Sequence, residues 1–212
     1  MTPKPSTLAR SELILGGQKS GKSRRSESLA QTWLAESTVH KAVLIATAQP
    51  WDDEMRQRIA RHQADRLRRV PGMTTVEEPL HLAQALSAHS RVDTLVVVDC
   101  LTLWLTHCLM PFELCTRSAD LSPDPENEKF VPNSPVVHVY QAQSAMLLEA
   151  IAKAPGPVVL VGNEIGLGVI PMGAEVRAFV DALGVLNQAV AQVCQRVTLM
   201  AAGLPLTLKD AA

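Results

Sequence analysis

Short apolar runs alternate along this chain with longer segments in which apolar residues recur at helical spacing. The short runs are rich in β-branched residues and most lack polar alternation, which is typical of strands covered on both faces. The predicted strands, of which the last is the weakest, are Leu13–Leu15, Ala42–Thr47, Leu95–Asp99, Val158–Gly162, Val197–Met200 and Leu206–Leu208. The predicted helices cover about residues 23–35, 52–65, 79–89, 136–153 and 175–194.

Strands that alternate with helices indicate βαβ crossovers and a mainly parallel sheet. We therefore predict an α/β fold in which helices flank a central sheet in three layers. The chain has 212 residues, of which 47% are hydrophobic, and it is expected to form a single domain over 1–212. The segment from about 111 to 135 carries five prolines among acidic and polar residues, and a long loop insertion is expected there.

The composition narrows the range of partners. A formal net charge of -1 and an aromatic content of 3% disfavour a nucleic-acid partner. No apolar run reaches the roughly 18 residues needed to span a bilayer, and residues 1–11 lack the apolar segment of a signal peptide. The four cysteines form no CxxC pair and no zinc-ligand spacing, so we expect reduced cysteines in a cytoplasmic protein.

One loop carries a specific chemical signal. It follows the first predicted strand and reads Gly16-Gly17-Gln18-Lys19-Ser20-Gly21-Lys22-Ser23, which fits G-x-x-x-x-G-K-[ST]. The glycines let the backbone wrap around phosphate oxygens, and the helix that follows adds the positive end of its dipole. Lys22 is expected to reach the β- and γ-phosphates, and Ser23 is expected to ligate Mg²⁺. The fold prediction thereby becomes a P-loop NTPase of the RecA-like type.

Two further polar positions follow apolar strands. Asp99 ends one strand, and in a parallel sheet it would point into the same crevice as the loop, where it could hold magnesium. A structural alternative is that Asp99 caps the helix that follows. Asn163 and Glu164 follow another strand, and Glu164 could order a water, the metal or the substrate, or simply satisfy backbone donors.

The predicted helix at about 52–65 combines a histidine with arginines. Arg58 and His62 stand at i and i+4, and Arg66 continues the same row. Two guanidinium groups beside an imidazole make an anion-binding stripe, and a neutral imidazole is a competent nucleophile near pH 7. Spacing alone leaves this hypothesis weak, because a histidine on a basic amphipathic helix usually lies on a solvated face.

Six or seven segments, in order along most of the chain, match the motifs of one known family. GGQKSGKSRRSE resembles GGxxSGKSxxAE, and IATAQPWDDEMRQRIARH resembles IATxxxxDxEMxxRIxxH. Val76-Glu77 resembles a T-V-E element, and VVVDCLTLWLT resembles a hydrophobic strand that ends in an acid followed by Cys and Thr. VLVGNEIGLGVIP resembles VxVxNEVGxGIVP, and RAFVDALGVLNQ resembles RxFRDxxGxxNQ. The chain thus resembles the bifunctional adenosylcobinamide kinase/adenosylcobinamide-phosphate guanylyltransferase family.

The resemblance implies two reactions. In the first, ATP or GTP gives its γ-phosphoryl group to the aminopropanol hydroxyl of adenosylcobinamide. In the second, a histidine attacks the α-phosphate of GTP, pyrophosphate leaves, and the histidine passes GMP to adenosylcobinamide phosphate. His62 matches the family's histidine, and Lys22 is the second catalytic residue that we predict. The resemblance also implies a homotrimer.

The resemblance further implies a set of nucleotide contacts. These are the loop residues from Gly16 to Ser23, the group Ala46, Thr47 and Ala48, the group Gln63, Ala64, Asp65 and Arg66, and the two acids Glu77 and Asp99. Two other functions remain open from the residues alone. One is a simple small-molecule kinase in which His62 is a surface residue, and the other is a RecA-like ATPase motor or nucleotide-sensing module.

Overall fold

The structure is a computed structural model, and it describes residues 8–110 and 135–211. The strands are β1 (Ser11–Gly16), β2 (Lys41–Ala46), β3 (Met73–Glu77), β4 (Thr94–Asp99), β5 (Val158–Val161), β6 (Arg196–Ala201) and β7 (Leu204–Asp210). The helices are α1 (Lys22–Glu36), α2 (Asp53–Arg69), α3 (Leu82–His89), α4 (Leu101–Leu109), α5 (Pro135–Lys153) and α6 (Ala174–Val193).

The seven strands form one sheet in the order β3-β2-β4-β5-β1-β6-β7. Every pairing is parallel except that of β7, which runs antiparallel to β6 at one edge. One strand, β5, separates the strand before the phosphate loop from the strand that ends in Asp99. This arrangement confirms the predicted mainly parallel sheet.

Helices cover both faces of the sheet, which explains the lack of polar alternation in its central strands. On one face α1 contributes Leu29 and Trp33 to a buried cluster with side chains of β1, β2, β4 and β5. On the other face α3, α4, α5 and α6 bury residues such as Trp104, Leu147 and Leu183. The predicted three layers are thus confirmed. In the described residues, no helix is both long and apolar enough to cross a membrane.

All six predicted strands and all five predicted helices are present, with ends shifted by a few residues. The largest shifts are at α2, which continues to Arg69, and at α3, which begins only at Leu82. Two elements were not predicted, namely β3 and α4. The predicted insertion at about 111–135 lies outside the described residues except for Pro135, which opens α5.

A buried carboxylate ties together the elements on either side of the phosphate loop. Glu12 of β1 is fully buried and accepts a hydrogen bond of 2.8 Å from the Thr198 hydroxyl of β6. Its carboxylate also faces Arg25 of α1 at 3.4 Å and Arg196 of β6 at 3.8 Å. Breaking such a buried pair leaves an uncompensated charge, so Glu12 helps to fix β1 relative to α1 and β6.

Candidate active site

Strand register brings distant parts of the sequence to one edge of the sheet. Ala46 at the end of β2 pairs with Glu77 of β3 on one side and with Asp99 of β4 on the other. Asp99 is level with Val161 of β5, and Val161 is level with Ile14 of β1. The carboxyl ends of parallel strands therefore form a crevice at the predicted nucleotide site.

The two motif glycines of the phosphate loop occupy tight positions with positive φ, where a side chain would be strained. A Cβ on Gly16 (φ +153°) would lie 2.5 Å from the backbone oxygen of Met200 and 2.6 Å from the Ser20 hydroxyl. A Cβ on Gly21 (φ +102°) would lie 3.2 Å from the Cα of Gly203. The β6–β7 turn also donates a 3.0 Å hydrogen bond from the Gly203 N–H to the Ser20 carbonyl, so the loop is held from outside. The exposed turn of the loop is formed by Gly17, Gln18 and Lys19.

Lys22 reaches back across the loop. Its Nζ donates hydrogen bonds to the carbonyl oxygens of Gly16 (2.9 Å) and Gly17 (2.7 Å). Burial lowers the pKa of Lys22 and Arg58 lowers it further, whereas Cys100 and Asp99 act in the opposite direction. The ammonium group thus lies inside the phosphate loop, where phosphate oxygens could replace the two carbonyls.

Ser23 and Asp99 meet at the start of α1. The Ser23 hydroxyl donates a 3.2 Å hydrogen bond to Oδ2 of Asp99. A hydroxyl beside a carboxylate is a fitting partial ligand set for Mg²⁺, which prefers oxygen ligands and completes its shell with waters and substrate phosphates. Residues 8–110 and 135–211 contain no group of three His, Cys, Asp or Glu side chains that could hold a metal ion.

Thr47, the residue after β2, connects the carboxyl ends of β2 and β4 through hydrogen bonds. It is fully buried, and its hydroxyl donates to the Cys100 carbonyl and accepts from the Cys100 N–H, both at 2.8 Å. Its own N–H donates to the Asp99 carbonyl at 3.1 Å, and its carbonyl accepts from Nε2 of His107 at 2.8 Å. The ring of Trp51 lies edge-on to His107 with centroids 4.9 Å apart. All polar groups of Thr47 are thus hydrogen-bonded, and they connect the end of β2 to Asp99, Cys100 and His107.

Helix α2 carries the remaining predicted site residues except Ala48, which is half-buried between β2 and α2. No residue of α2 is buried. Burial lowers the pKa of Arg66, and the carboxylates of Asp99 and Glu27 oppose that shift. One turn before His62, Arg58 lowers the pKa of Lys22. Arg66 also donates a 3.1 Å hydrogen bond to the Thr75 hydroxyl of β3, and His62, one turn before Arg66, is half-buried.

The other predicted residues of α2 differ in their surroundings. Gln63 and Ala64 are exposed. Asp65 forms ion pairs along its own helix with Arg68 and, at 3.5 Å, with Arg69. A hydrogen bond from Arg68 is the main reason that the pKa of Asp65 is lowered.

Sequence reasoning missed several residues that shape the site. His107 was overlooked because α4 was not predicted. A histidine within the apolar segment LTLWLTHCL nevertheless indicates a buried polar residue that needs a hydrogen-bond partner. Thr102 and Asn187 were also missed as supports of the loop after β5. Thr102 accepts a 2.8 Å hydrogen bond from the Asn163 N–H, and the Asn187 amide donates one of 3.1 Å to the Asn163 carbonyl.

Comparisons with known proteins agree with this geometry. Residues 12–208 match the family described as cobinamide kinase / cobinamide phosphate guanyltransferase. The bifunctional adenosylcobalamin biosynthesis protein CobP of Pseudomonas aeruginosa is 43% identical over 198 residues, covering 93% of this chain and 96% of that protein. The bifunctional adenosylcobalamin biosynthesis protein CobU of Escherichia coli K12 is 31% identical over 197 residues, covering 93% and 98%.

Two solved structures are similar at a TM-score of 0.47 and 10% identity. The match to a Pyrococcus horikoshii OT3 protein covers 97% of this chain and 89% of that protein's chain. The match to a solved ATPase domain covers 90% of this chain and 69% of that domain's chain. These likenesses are too distant to bear on function, whereas the family match spans nearly the whole chain. The chain belongs to the cobinamide kinase / cobinamide phosphate guanyltransferase family.

Proposed function

We propose that this chain catalyses two successive reactions on a corrinoid. It first phosphorylates the aminopropanol hydroxyl of adenosylcobinamide with ATP or GTP. It then transfers GMP from GTP to adenosylcobinamide phosphate, which yields adenosylcobinamide-GDP and pyrophosphate. The observation that carries the proposal is the phosphate loop, in which the Lys22 ammonium lies 2.9 Å and 2.7 Å from the Gly16 and Gly17 carbonyls and the Ser23 hydroxyl lies 3.2 Å from Asp99, in a chain of this family.

The phosphate loop serves both reactions by stabilising charge. Backbone N–H groups and Lys22 would surround the β- and γ-phosphates, and the start of α1 adds its dipole. Lys22 would exchange its bonds to the Gly16 and Gly17 carbonyls for phosphate oxygens. The same groups that stabilise a departing nucleoside diphosphate in the first reaction stabilise the departing pyrophosphate in the second.

His62 is the nucleophile that we assign to the second reaction. A ring nitrogen of neutral His62 forms a bond to the α-phosphorus of GTP, and the bond from that phosphorus to the pyrophosphate oxygen breaks. The phosphate of adenosylcobinamide phosphate then attacks the same phosphorus and releases His62. One difficult displacement thus becomes two easier ones, and Arg58 and Arg66 are suited to hold the anionic groups on either side.

We further propose that Ser23 and Asp99 hold Mg²⁺ at the nucleotide. Their oxygens lie 3.2 Å apart, which leaves room for the remaining ligands to come from water and phosphate. When bound, the ion neutralises charge on the phosphates. The other nucleotide contacts that we propose are Ala46, Ala48 and Glu77 at the strand ends, with Gln63, Ala64 and Asp65 on α2.

GTP labelled at two positions tests the proposed function. Label at the α-phosphate should become bound to the protein in an acid-labile form, with a gain of one GMP by intact mass, whereas label at the γ-phosphate should appear on cobinamide. In His62→Ala the protein-bound label should vanish while the γ-transfer remains. His89→Ala is the matched control, because His89 is half-exposed at the end of α3, beside the amino ends of the strands.

The result also separates the rival functions. If wild-type protein transfers the γ-label and never retains the α-label, the chain is a simple small-molecule kinase. Nucleotide binding without any turnover in the presence of cobinamide would instead indicate a nucleotide-sensing module. DNA-stimulated hydrolysis would indicate a RecA-like motor.

We propose that the protein is a cytoplasmic homotrimer. An exposed apolar segment after β5, which includes Leu167, Val169 and Met172, offers a contact surface for a second copy of the chain. Light scattering should show a trimer for the wild type and a smaller species for Val169→Glu. Val92→Glu, an exposed valine before β4, should remain trimeric, and a monomeric wild type would contradict the assignment.

A further inference from the structure

Glu164 follows β5, the strand that lies between the phosphate-loop strand and the strand of Asp99. The chain continues beside β1 beyond the end of β5, because the Gly162 N–H donates to the Ile14 carbonyl at 3.0 Å and the Glu164 N–H donates to the Gly16 carbonyl at 3.2 Å. The Gly16 carbonyl is the same oxygen that accepts a hydrogen bond from Lys22. The backbones of Glu164 and the phosphate loop therefore meet at the lysine ammonium.

The residue before Glu164 is fixed from two sides. Asn163 donates its N–H to the Thr102 hydroxyl of α4 at 2.8 Å and accepts a bond of 3.1 Å at its carbonyl from the Asn187 amide of α6. Thr102 and Asn187 are both buried. Two helices thus hold the backbone that presents Glu164, and a group held in this way is pre-organised relative to the phosphate loop.

The carboxylate itself is only partly used by the protein. Oε1 of Glu164 accepts a 2.7 Å hydrogen bond from the Gly166 N–H, which orients the group. Across the described ranges, no hydrogen bond or ion pair reaches Oε2. An oriented, half-exposed carboxylate whose own backbone N–H is hydrogen-bonded to the phosphate loop has the chemistry of a general base.

We propose that Glu164 is the general base of the phosphoryl-transfer reaction, an inference that rests on the proposed function. The proton of the cobinamide hydroxyl passes to Oε2, and the hydroxyl oxygen forms a bond to the γ-phosphorus. The bond between that phosphorus and the β,γ-bridging oxygen breaks, and the nucleoside diphosphate leaves. Protein kinases use a carboxylate in the same role.

The two reactions differ in their need for a base. A hydroxyl must lose its proton on attack, so the first reaction depends on Glu164. His62 attacks through a nitrogen lone pair, and the final acceptor is a phosphate group that is already ionised near pH 7. Neither of these steps requires a proton acceptor, and both are independent of Glu164.

The variant Glu164→Gln tests this difference, because glutamine keeps an oxygen for the Gly166 N–H and cannot take up the proton. We expect kcat for γ-phosphoryl transfer to cobinamide to fall by about 10²- to 10⁴-fold. Formation of the GMP adduct from α-labelled GTP, and its transfer to cobinamide phosphate prepared with wild-type enzyme, should change by less than about threefold. Glu164→Asp, which keeps a carboxylate, should recover part of the lost kinase rate.

Glu175→Gln is the matched control, since it removes an exposed acid in the first turn of α6, and both reactions should proceed as in wild type. Kinase activity of Glu164→Gln within threefold of wild type would overturn the proposal. An equal loss of both reactions, with weakened nucleotide binding, would also overturn it and make Glu164 a structural or metal-positioning residue. Failure of the proposed function is distinguishable, because wild-type protein would then lack the γ-transfer or the adduct.

Discussion

The phosphate loop and helix α2 both carry positive charge, but they are built in opposite ways. All six residues of β1 before the loop are buried, and a side chain at either motif glycine would be strained. None of the 17 residues of α2 is buried. The comparison shows that the proposed site combines a tightly packed part, which would hold the phosphates, with a loosely packed part, which carries the proposed nucleophile.

The few contacts of α2 that the structure shows lie mainly near its C-terminal end. Arg66 donates to the Thr75 hydroxyl at 3.1 Å, and Arg69 pairs with Glu27 of α1 at 2.8 Å. In the proposed mechanism the phosphate loop would hold a γ-phosphate, whereas His62 would have to reach an α-phosphate, so either the nucleotide binds in two poses or α2 moves. Displacing α2 exposes little apolar surface, which favours the movement.

The largest expected effect comes from removing the Lys22 ammonium, the positive charge inside the phosphate loop. Lys22→Ala should lower both γ-phosphoryl transfer and formation of the GMP adduct by on the order of 10³-fold, because both reactions place negative charge beside the ammonium. Initial rates with γ- and α-labelled GTP measure the two losses. Lys153→Ala, at the exposed end of α5, is the control, and a loss confined to one reaction would show that the loop serves only that reaction.

Apolar truncations test whether the two parts differ in packing. Leu105→Ala in α4 should lower the free energy of unfolding by about 2–5 kcal/mol, since Leu105 is fully buried. Ile59→Ala in α2 should cost less than about 1 kcal/mol, since Ile59 is only half-buried in a surface helix. Urea unfolding of both variants measures the contrast. Equal losses would mean that α2 is packed in solution, and the comparison would fail.

Much of the tightly packed part is visible in the sequence, because its signals are local. Buried strands such as Val158–Val161 appear as continuous apolar runs, and the phosphate loop is a contiguous motif. By contrast, β3 has the short sequence MTTVE at a sheet edge, with two exposed threonines and no apolar run. Helix α4 is apolar on nearly all sides and begins two residues after β4, so no turn residue or amphipathic stripe marks it.

The supports of the site were harder to predict than its motifs. The bond from Thr47 to Cys100 spans 53 residues, and that from His107 to Thr47 spans 60. Asn187 lies 24 residues beyond the Asn163 carbonyl to which it donates. Such pairs can be predicted only when the sheet order is known. Strand and helix periodicity indicate which face a residue occupies, and they do not indicate its hydrogen-bond partner.

Substitution of the first motif glycine measures how close the contacts in the tightly packed part are. Gly16→Ala should lower the free energy of unfolding by about 2–4 kcal/mol, because its Cβ would meet the Met200 backbone oxygen at 2.5 Å in a conformation that L-residues rarely adopt. Gly17→Ala is the matched control, since nothing lies within 4 Å of the added Cβ, and it should cost less than about 1 kcal/mol. Equal stability of the two variants would show that β6 can shift at Met200 with little loss of stability.

The smallest expected effect concerns His107, whose Nε2 donates a hydrogen bond to the Thr47 carbonyl at the end of β2. Burial lowers the pKa of His107, and the hydrogen bond to the Thr47 carbonyl opposes that shift. The unfolded chain therefore binds the extra proton more readily than the folded one. Neutral His107 therefore contributes fully to the free energy of unfolding above the ordinary histidine pKa of about 6.5. This contribution is lost as the pH falls from there toward the lowered pKa of the folded protein.

The variant His107→Gln should remove this pH dependence, because glutamine can still donate to the Thr47 carbonyl and does not titrate. Between pH 7 and 5 the free energy of unfolding of the wild type should fall by on the order of 1 kcal/mol more than that of the variant. Urea unfolding at several pH values measures the slope, with His89→Gln as a control that should keep the wild-type slope. If the free energy of unfolding of His107→Gln depended on pH as that of the wild type does, the buried ring would take up its proton without disturbing Thr47. The hydrogen bond between His107 and Thr47 would then tolerate a charge.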